Sequence, residues 1–245
     1  MSILILDIET APALSYHWGM YDQTIGTNQV REDWYMLSYA AKWLDSRNII
    51  FDAIWKYPKY FRQKPRSDLK IAESLWDLLD QAKIVIAHNG DAFDVKKINT
   101  SFLKNNLQPC NSYLTIDTKK ESKKNFGFMS NKLDHIMRRL GLGHKLSHEG
   151  FDMWLGAMRG DKKWCAKMER YNKQDVRGLE SVYKAMRPFM KNHPDINALE
   201  GDKTRLDCPN CGSRDTIGRG WQYTKLSRYP RRGCNSCGAR WKARG

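Results

Sequence analysis

The sequence predicts an α/β fold, a mixed sheet flanked by helices, with a small cysteine-rich module at the C-terminal end. Three observations carry this. The N-terminal stretch ILILDI reads as a buried strand that runs into acidic residues. Behind it, short apolar runs alternate with segments of helical period. Two C-x2-C pairs then stand in a Gly- and Arg-rich tail.

Taken in order, residues 3–8 form the first strand. Its two-residue alternation puts Asp7 and Glu9 on one face, roughly 6–7 Å apart. Residues 11–34 hold many aromatics, among them Tyr16, Trp18, Tyr21 and Trp34, with little periodicity. MLSYAAKWL and NIIFDAIWKY read as two strands joined by the polar turn DSRN. SDLKIAESLWDLLDQA is an amphipathic helix with Leu69, Ala72, Leu75, Trp76 and Leu79 on one face and Ser67 or Asp68 as its cap. KIVIAHN is a further buried strand, and a helix should follow over 92–105 with Asp91 capping it. SYLTIDT gives a short strand ending at Asp117, an acid placed where it could face the same site as Asp7. SNKLDHIMRRLGLG reads as a helix stopped at Gly141. The segment 164–190 is strongly helical up to Pro188. Composition then shifts, which predicts domains at 1–192 and 206–245 with a linker over 193–205.

A chain of 245 residues can bury one core and carry a small appended module. Its net charge of +15 calls for a polyanionic partner, most simply nucleic acid. The charge is concentrated: residues 203–245 hold 11 Lys and Arg against 2 Asp. No run of about 18 apolar residues is present, so no membrane-spanning helix and no membrane partner are expected. The N-terminus lacks the basic-then-apolar plan of a signal peptide, and the expected location is a cytoplasm.

The chemistry rests on acids at four places. LDIET supplies Asp7 and Glu9, and AHNGDAFDVKKI supplies Asp94 near the start of a helix. RYNKQDVRGL supplies Tyr171 and Asp175, four residues apart and therefore on one helical face. Carboxylates converge at low cost only around positive charge, and hard divalent cations such as Mg²⁺ prefer their oxygens. Paired cations of this kind can clamp the attacking and leaving oxygens of a phosphodiester.

Through these motifs the chain resembles the DEDD (DnaQ-like) superfamily of 3′→5′ exonucleases. The family's D-x-E is matched by Asp7 and Glu9, and its H-N-x-x-x-F-D by His88, Asn89, Phe93 and Asp94. Its third motif, an Asp preceded by Tyr at four residues, is matched by Tyr171 and Asp175, which is the tyrosine (DEDDy) branch. The resemblance covers roughly residues 1–190 and extends to the small standalone exonucleases of phage type. It implies a ribonuclease H-like fold and two catalytic Mg²⁺ or Mn²⁺ ions held by Asp7, Glu9, Asp94 and Asp175. It also implies a water-orienting Tyr171. Asn89 and Phe93 are candidate nucleic-acid contacts, and so is Thr10, which sits just past the first motif where its backbone could meet the terminal nucleotide; a structural role for its hydroxyl is the other reading. The implied reaction is hydrolysis at 3′ ends, with single-stranded DNA the first choice and RNA open. The partners it implies are nucleic acid and a polymerase or a replication and repair complex. Two rival readings stay open: a nucleic-acid-binding or recruiting module with little activity, and a structure-specific endonuclease.

In the tail, CPNCG and CNSCG place Cys208, Cys211, Cys234 and Cys237 as two knuckles. In a cytoplasmic protein this spacing argues for one structural Zn²⁺, a zinc ribbon, over disulfides. Arg219, Lys225, Arg228, Arg231 and Arg232 interleave with Trp221 and Tyr223, a pairing of cations and stacking faces suited to single strands. At least one of Trp221 and Trp241 is expected to fill the ribbon's own small core. Cys110 and Cys165 read as buried small hydrophobes.

Overall fold

The computed structural model describes residues 2–144, 150–201 and 206–243. In chain order the elements are β1 (Ile3–Ala11), β2 (Leu14–Ser15), β3 (Val30–Glu32), β4 (Tyr35–Trp43), β5 (Ile50–Ala53), α1 (Pro58–Gln63) and α2 (Leu69–Gln81). They continue as β6 (Ile84–Ala87), α3 (Asp94–Lys104), β7 (Leu114–Asp117), α4 (Thr118–Asn125), α5 (Leu133–Arg139), α6 (Asp152–Met158) and α7 (Lys162–Met186). The last are α8 (Ile196–Glu200), β8 (Thr216–Tyr223), β9 (Arg228–Cys234) and β10 (Arg240–Lys242). The described residues fall into two compact units, 2–115 with 150–177, and 116–144 with 178–201 and 206–243.

The main sheet runs β5-β4-β1-β6-β7. β1 is antiparallel to β4 and parallel to β6, so the sheet is mixed, as the element order predicts. β1 lies in its middle and is covered on both faces, which is why Ile3, Leu4, Ile5, Leu6 and Ile8 are all buried with little polar alternation. The core of the first unit gathers Leu4, Leu6 and Ile8 with Met36 and Tyr39 of β4, Ile71, Leu75 and Leu79 of α2, Ile98 and Phe102 of α3, and Met168 of α7. α6 and α7 come close through Gly156, where a Cβ would stand 2.1 Å from the Trp164 ring.

Several local expectations need correction. α2 buries Ile71 as well as Ala72, Leu75 and Leu79, and Trp76 packs against the same core from its edge, donating its indole N–H to the Gln108 carbonyl. Asp68 occupies the position before α2 without capping it. Its carboxylate instead accepts from the Met36 amide (3.0 Å), the Ser101 hydroxyl (2.9 Å) and the Asn105 side chain (2.7 Å), and so ties β4 to α3. A cap contributes about 1 kcal/mol, whereas losing this buried acid would strand three donors at about 1–3 kcal/mol each. α3 starts at Asp94, with Phe93 in the N-cap position, so Asp91 is not its cap. The chain enters α3 through Asn89 at φ 71° and through Gly90, where a Cβ would meet the Ala87 methyl at 2.4 Å. The strand after DSRN ends at Ala53, and residues 54–56 turn into a 3-10 helix.

In the second unit α5 buries Leu133, Ile136 and Met137. Gly178 of α7 leaves room for the Met137 thioether, which a Cβ there would approach to 2.5 Å. α7 ends at Met186 and passes into a 3-10 turn that contains Pro188. Part of the expected linker is helical: α8 lies within it, and the Ile196 amide donates to the Pro209 carbonyl at 2.8 Å. Linker residues 202–205 lie outside the described residues. The tail forms a three-stranded antiparallel sheet, β10-β9-β8. No helix among the described residues is long and apolar enough to cross a membrane.

Candidate active site and metal centres

β1 delivers Asp7 and Glu9 to one face of the sheet, and α7 brings Asp175 to meet them. One carboxylate oxygen from each lies within 4.8 Å of the others. Asp175 is buried, and the other two are partly exposed. Asp94, buried at the first position of α3, accepts a hydrogen bond from the Ile8 amide at 3.2 Å. Its carboxylate is therefore fixed to the backbone between Asp7 and Glu9. Directly after Glu9 the register of β1 against β4 shifts at a bulge: Glu9 pairs with Ser38 and Thr10 with Met36, which leaves Leu37 of β4 as the extra residue.

Asn172 holds the arrangement together, and the sequence reading passed over it. The residue is fully buried; its side-chain NH₂ donates to Asp7 Oδ2 at 2.6 Å and to the Asp7 carbonyl at 3.2 Å. Its oxygen accepts from the Ser38 hydroxyl at 3.2 Å. Asn172 thus pins α7 to both β1 and β4 and aims one acid of the cluster. The available signal was its place three residues before Asp175, on the same helical face. The start of α7 is secured by Asp161, whose carboxylate accepts from the Lys163 and Trp164 amides.

Tyr171 lies one turn before Asp175, partly buried, with its ring edge-on to Trp154 at 6.2 Å. Phe93 is 37% exposed beside Asp94. Asn89 is partly exposed in its left-handed turn. Asp117 has a structural use: its Oδ1 caps α4 by accepting from the Lys119 and Lys120 amides. Burial pushes the Cys165 thiol up to about 12 and raises Cys110 as well, in keeping with their reading as small hydrophobes.

The donor set fits hard divalent cations. Three carboxylates packed this closely repel one another, and oxygen-rich, anionic shells are what Mg²⁺ and Mn²⁺ select. The four cysteines form a second cluster. Cys208 and Cys237 sulfurs lie 3.6 Å apart, and those of Cys211 and Cys234 lie 3.7 Å apart. A tetrahedral zinc with 2.3 Å bonds to sulfur requires about 3.8 Å between ligands, so the cluster is compatible with a zinc ribbon. Arg187 lies beside it, partly buried, with its enclosed Nε lacking an acceptor. Burial lowers its pKa, but Tyr183 and the Cys237 and Cys211 sulfurs more than offset this, leaving it raised. A guanidinium in that position would balance the negative charge of a metal tetrathiolate.

On the ribbon surface, β8 is exposed along nearly its whole length. Trp221 is 45% exposed with the Arg228 guanidinium 4.5 Å above its ring, and Tyr223 stands out at 71%. Arg219, Lys225 and Arg228 are exposed. Arg231 and Arg232 are only partly so, because they donate back to the Arg219 carbonyl and to Thr216 within the hairpin. Trp241 packs on the cysteine cluster and fills the ribbon core.

The family model RNase_H_2, described as RNase_H superfamily, matches residues 4–187, and the chain belongs to that family. No curated protein matches it. Among solved structures the chain is similar to the family B DNA polymerase from the hyperthermophilic archaeon Pyrobaculum calidifontis. The match has a TM-score of 0.53 and 14% identity, and covers 76% of this chain but 24% of the polymerase. At that identity the likeness shows the fold, which is ribonuclease H-like. Membership of this superfamily supports nuclease activity and, with it, binding of nucleic acid.

Replacing Asn172 by Leu, which has the same branching at Cγ but cannot donate, leaves Asp7 unaimed. Mn²⁺ affinity should fall about 10–100-fold, measured by titration calorimetry, with secondary structure retained. Unchanged affinity would remove Asn172 from the site.

Proposed function

We propose that the chain is a metal-dependent 3′→5′ exonuclease of the tyrosine branch, acting on the 3′ ends of nucleic acid, DNA first among them. The observation that carries this reading is the convergence of Asp7, Glu9 and Asp175, with Asp94 fixed to the strand between the first two. Tyr171 one turn before Asp175 supports the tyrosine branch, and likeness to a DNA polymerase supports the choice of DNA. Asp7, Glu9, Asp94 and Asp175 would hold two Mg²⁺ or Mn²⁺ ions. Such ions, when bound, neutralise phosphate charge and lower the pKa of an attacking water.

The chain's own groups do the rest. Asn172 orients the Asp7 carboxylate. A phenol ordinarily titrates near pH 10 and is a poor base at neutrality, so Tyr171 acts by hydrogen-bonding the water and holding it in line. Thr10, next to Glu9 on β1, and Asn89 and Phe93, ahead of Asp94, receive the terminal nucleotide. The ribbon, held by one structural Zn²⁺ on Cys208, Cys211, Cys234 and Cys237, grips the strand through Arg219, Trp221, Tyr223, Lys225 and Arg228. Arg231 and Arg232 brace the hairpin and add charge.

The test is a denaturing gel of one oligonucleotide labelled at either end, as DNA and as RNA, with Mg²⁺ or Mn²⁺. The expected result is a ladder that shortens from the 3′ end of the 5′-labelled strand and is absent with Asp94→Ala. Intact strands in every lane would favour a binding or recruiting module; internal cuts would favour an endonuclease. For the ribbon, the triple change of Arg219, Lys225 and Arg228 to Ala should reduce the slope of log affinity against log salt by about 2 on single strands. An unchanged slope would take the ribbon out of substrate binding.

A further inference from the structure

Beside the acidic cluster, Trp34, Phe93 and Lys97 build a second surface. Trp34 directly precedes β4, whose Tyr35 pairs with Ala11, so the indole lies at the end of the sheet just beyond Glu9. Lys97 stands one turn after Asp94 on α3. Its ammonium is 3.7 Å from the centre of the Trp34 ring and 6.0 Å from that of Phe93.

A neighbouring lysine shows what a structural cation looks like here. Lys104 lies 5.1 Å from the Trp34 ring, donates to the Trp34 carbonyl at 3.1 Å and pairs with Asp33 at 3.6 Å. Lys97 is used differently. Among the described residues its ammonium makes no ion pair and no hydrogen bond, and it sits against two aromatic faces. Desolvation lowers its pKa, with Lys104 adding to the effect and Asp33 opposing it. The side chain is thus a partly desolvated cation, positioned by an indole, with its donors unspent. A phosphate oxygen is the acceptor such a group suits best at a site built for a polyanion. Side chains one turn apart on a helix lie about 5–6 Å apart at Cβ, which puts Lys97 within reach of the next phosphate along a strand whose end lies at Asp94.

We propose that Lys97, seated on Trp34, binds the phosphate of the scissile strand one nucleotide before the acidic cluster. This rests on the reading of the cluster as the place where a nucleic-acid strand ends. The proposal makes Lys97 a substrate-binding residue, and Trp34 the residue that positions it.

The experiment measures binding of the full chain, in Ca²⁺, to fluorescent single-stranded DNA by anisotropy. One oligonucleotide is unmodified, one carries a neutral methylphosphonate at the penultimate 3′ linkage, and one carries it several linkages upstream. Wild type should lose about tenfold in affinity on the penultimate modification, the worth of one charge-assisted hydrogen bond, and much less on the upstream one. Lys97→Met should lose about tenfold on unmodified DNA and become indifferent to the penultimate modification. Lys97→Arg should restore both affinity and sensitivity. A wild type indifferent to the penultimate methylphosphonate overturns the assignment without reference to any variant, as does a Lys97→Met protein that keeps the wild-type sensitivity. Failure to bind any strand overturns both this proposal and the reading beneath it. The expected binding pattern with no hydrolysis in Mg²⁺ or Mn²⁺ leaves Lys97 assigned and overturns only the exonuclease.

Discussion

Three carboxylates within 4.8 Å of one another oppose the fold that assembles them, and the rest of the structure is organised around holding them there. Repulsion on this scale is tolerated when rigid elements enforce it and a cation or a shared proton relieves it. The enforcement comes from residues 7–9 of β1. Asp94 of α3 accepts from the Ile8 amide, and Asn172 of α7, 165 positions along the chain, donates to Asp7. Both helices are therefore anchored on one short stretch of strand. The aliphatic core beneath, from Leu4, Leu6 and Ile8 to Met168, keeps that stretch from moving. A site built on a central strand and two helices is more rigid than one carried by loops.

Much of this was legible in the sequence because it depends on short-range spacing. Alternation along ILILDIET places Asp7 and Glu9 on one face, and the four-residue step from Tyr171 to Asp175 needs only a helix. The cysteine knuckles are legible for the same reason. Asn172, Asp68 and Lys97 were not, because their roles are set by partners far away in the chain. Asp68 looks like a helix cap until β4 and α3 bring Met36, Ser101 and Asn105 to it. Asp117 looks like a candidate ligand until the helix after it begins and takes up its Oδ1.

Residues 11–34 resisted reading for a different reason. Past Ala11, the last residue of β1, they form the two-stranded β2–β3 pairing and a 3-10 turn over residues 27–29, and bury little: Trp18 is 99% exposed, Met20 85% and Tyr21 80%. Hydrophobic period arises from a buried face, and this segment has none to generate it. Its far end is ordered by cations, with Lys97 and Lys104 on Trp34 and Arg31 5.7 Å from the Tyr16 ring. The ribbon uses the same device, with Arg228 on Trp221 and Lys242 on Tyr229. In both units, then, exposed aromatics are paired with cations, and both groups are ones that a nucleic-acid strand can engage.

Every functional role assigned to this chain depends on the acidic cluster being a cation site. The most direct measurement is anomalous diffraction from crystals soaked in Mn²⁺. Strong anomalous peaks are expected between Asp7, Glu9 and Asp175, and their loss in crystals of Asp175→Asn. A cluster without Mn²⁺ at concentrations that saturate other hard-cation sites would contradict that assignment, and the three carboxylates would then need a different source of positive charge.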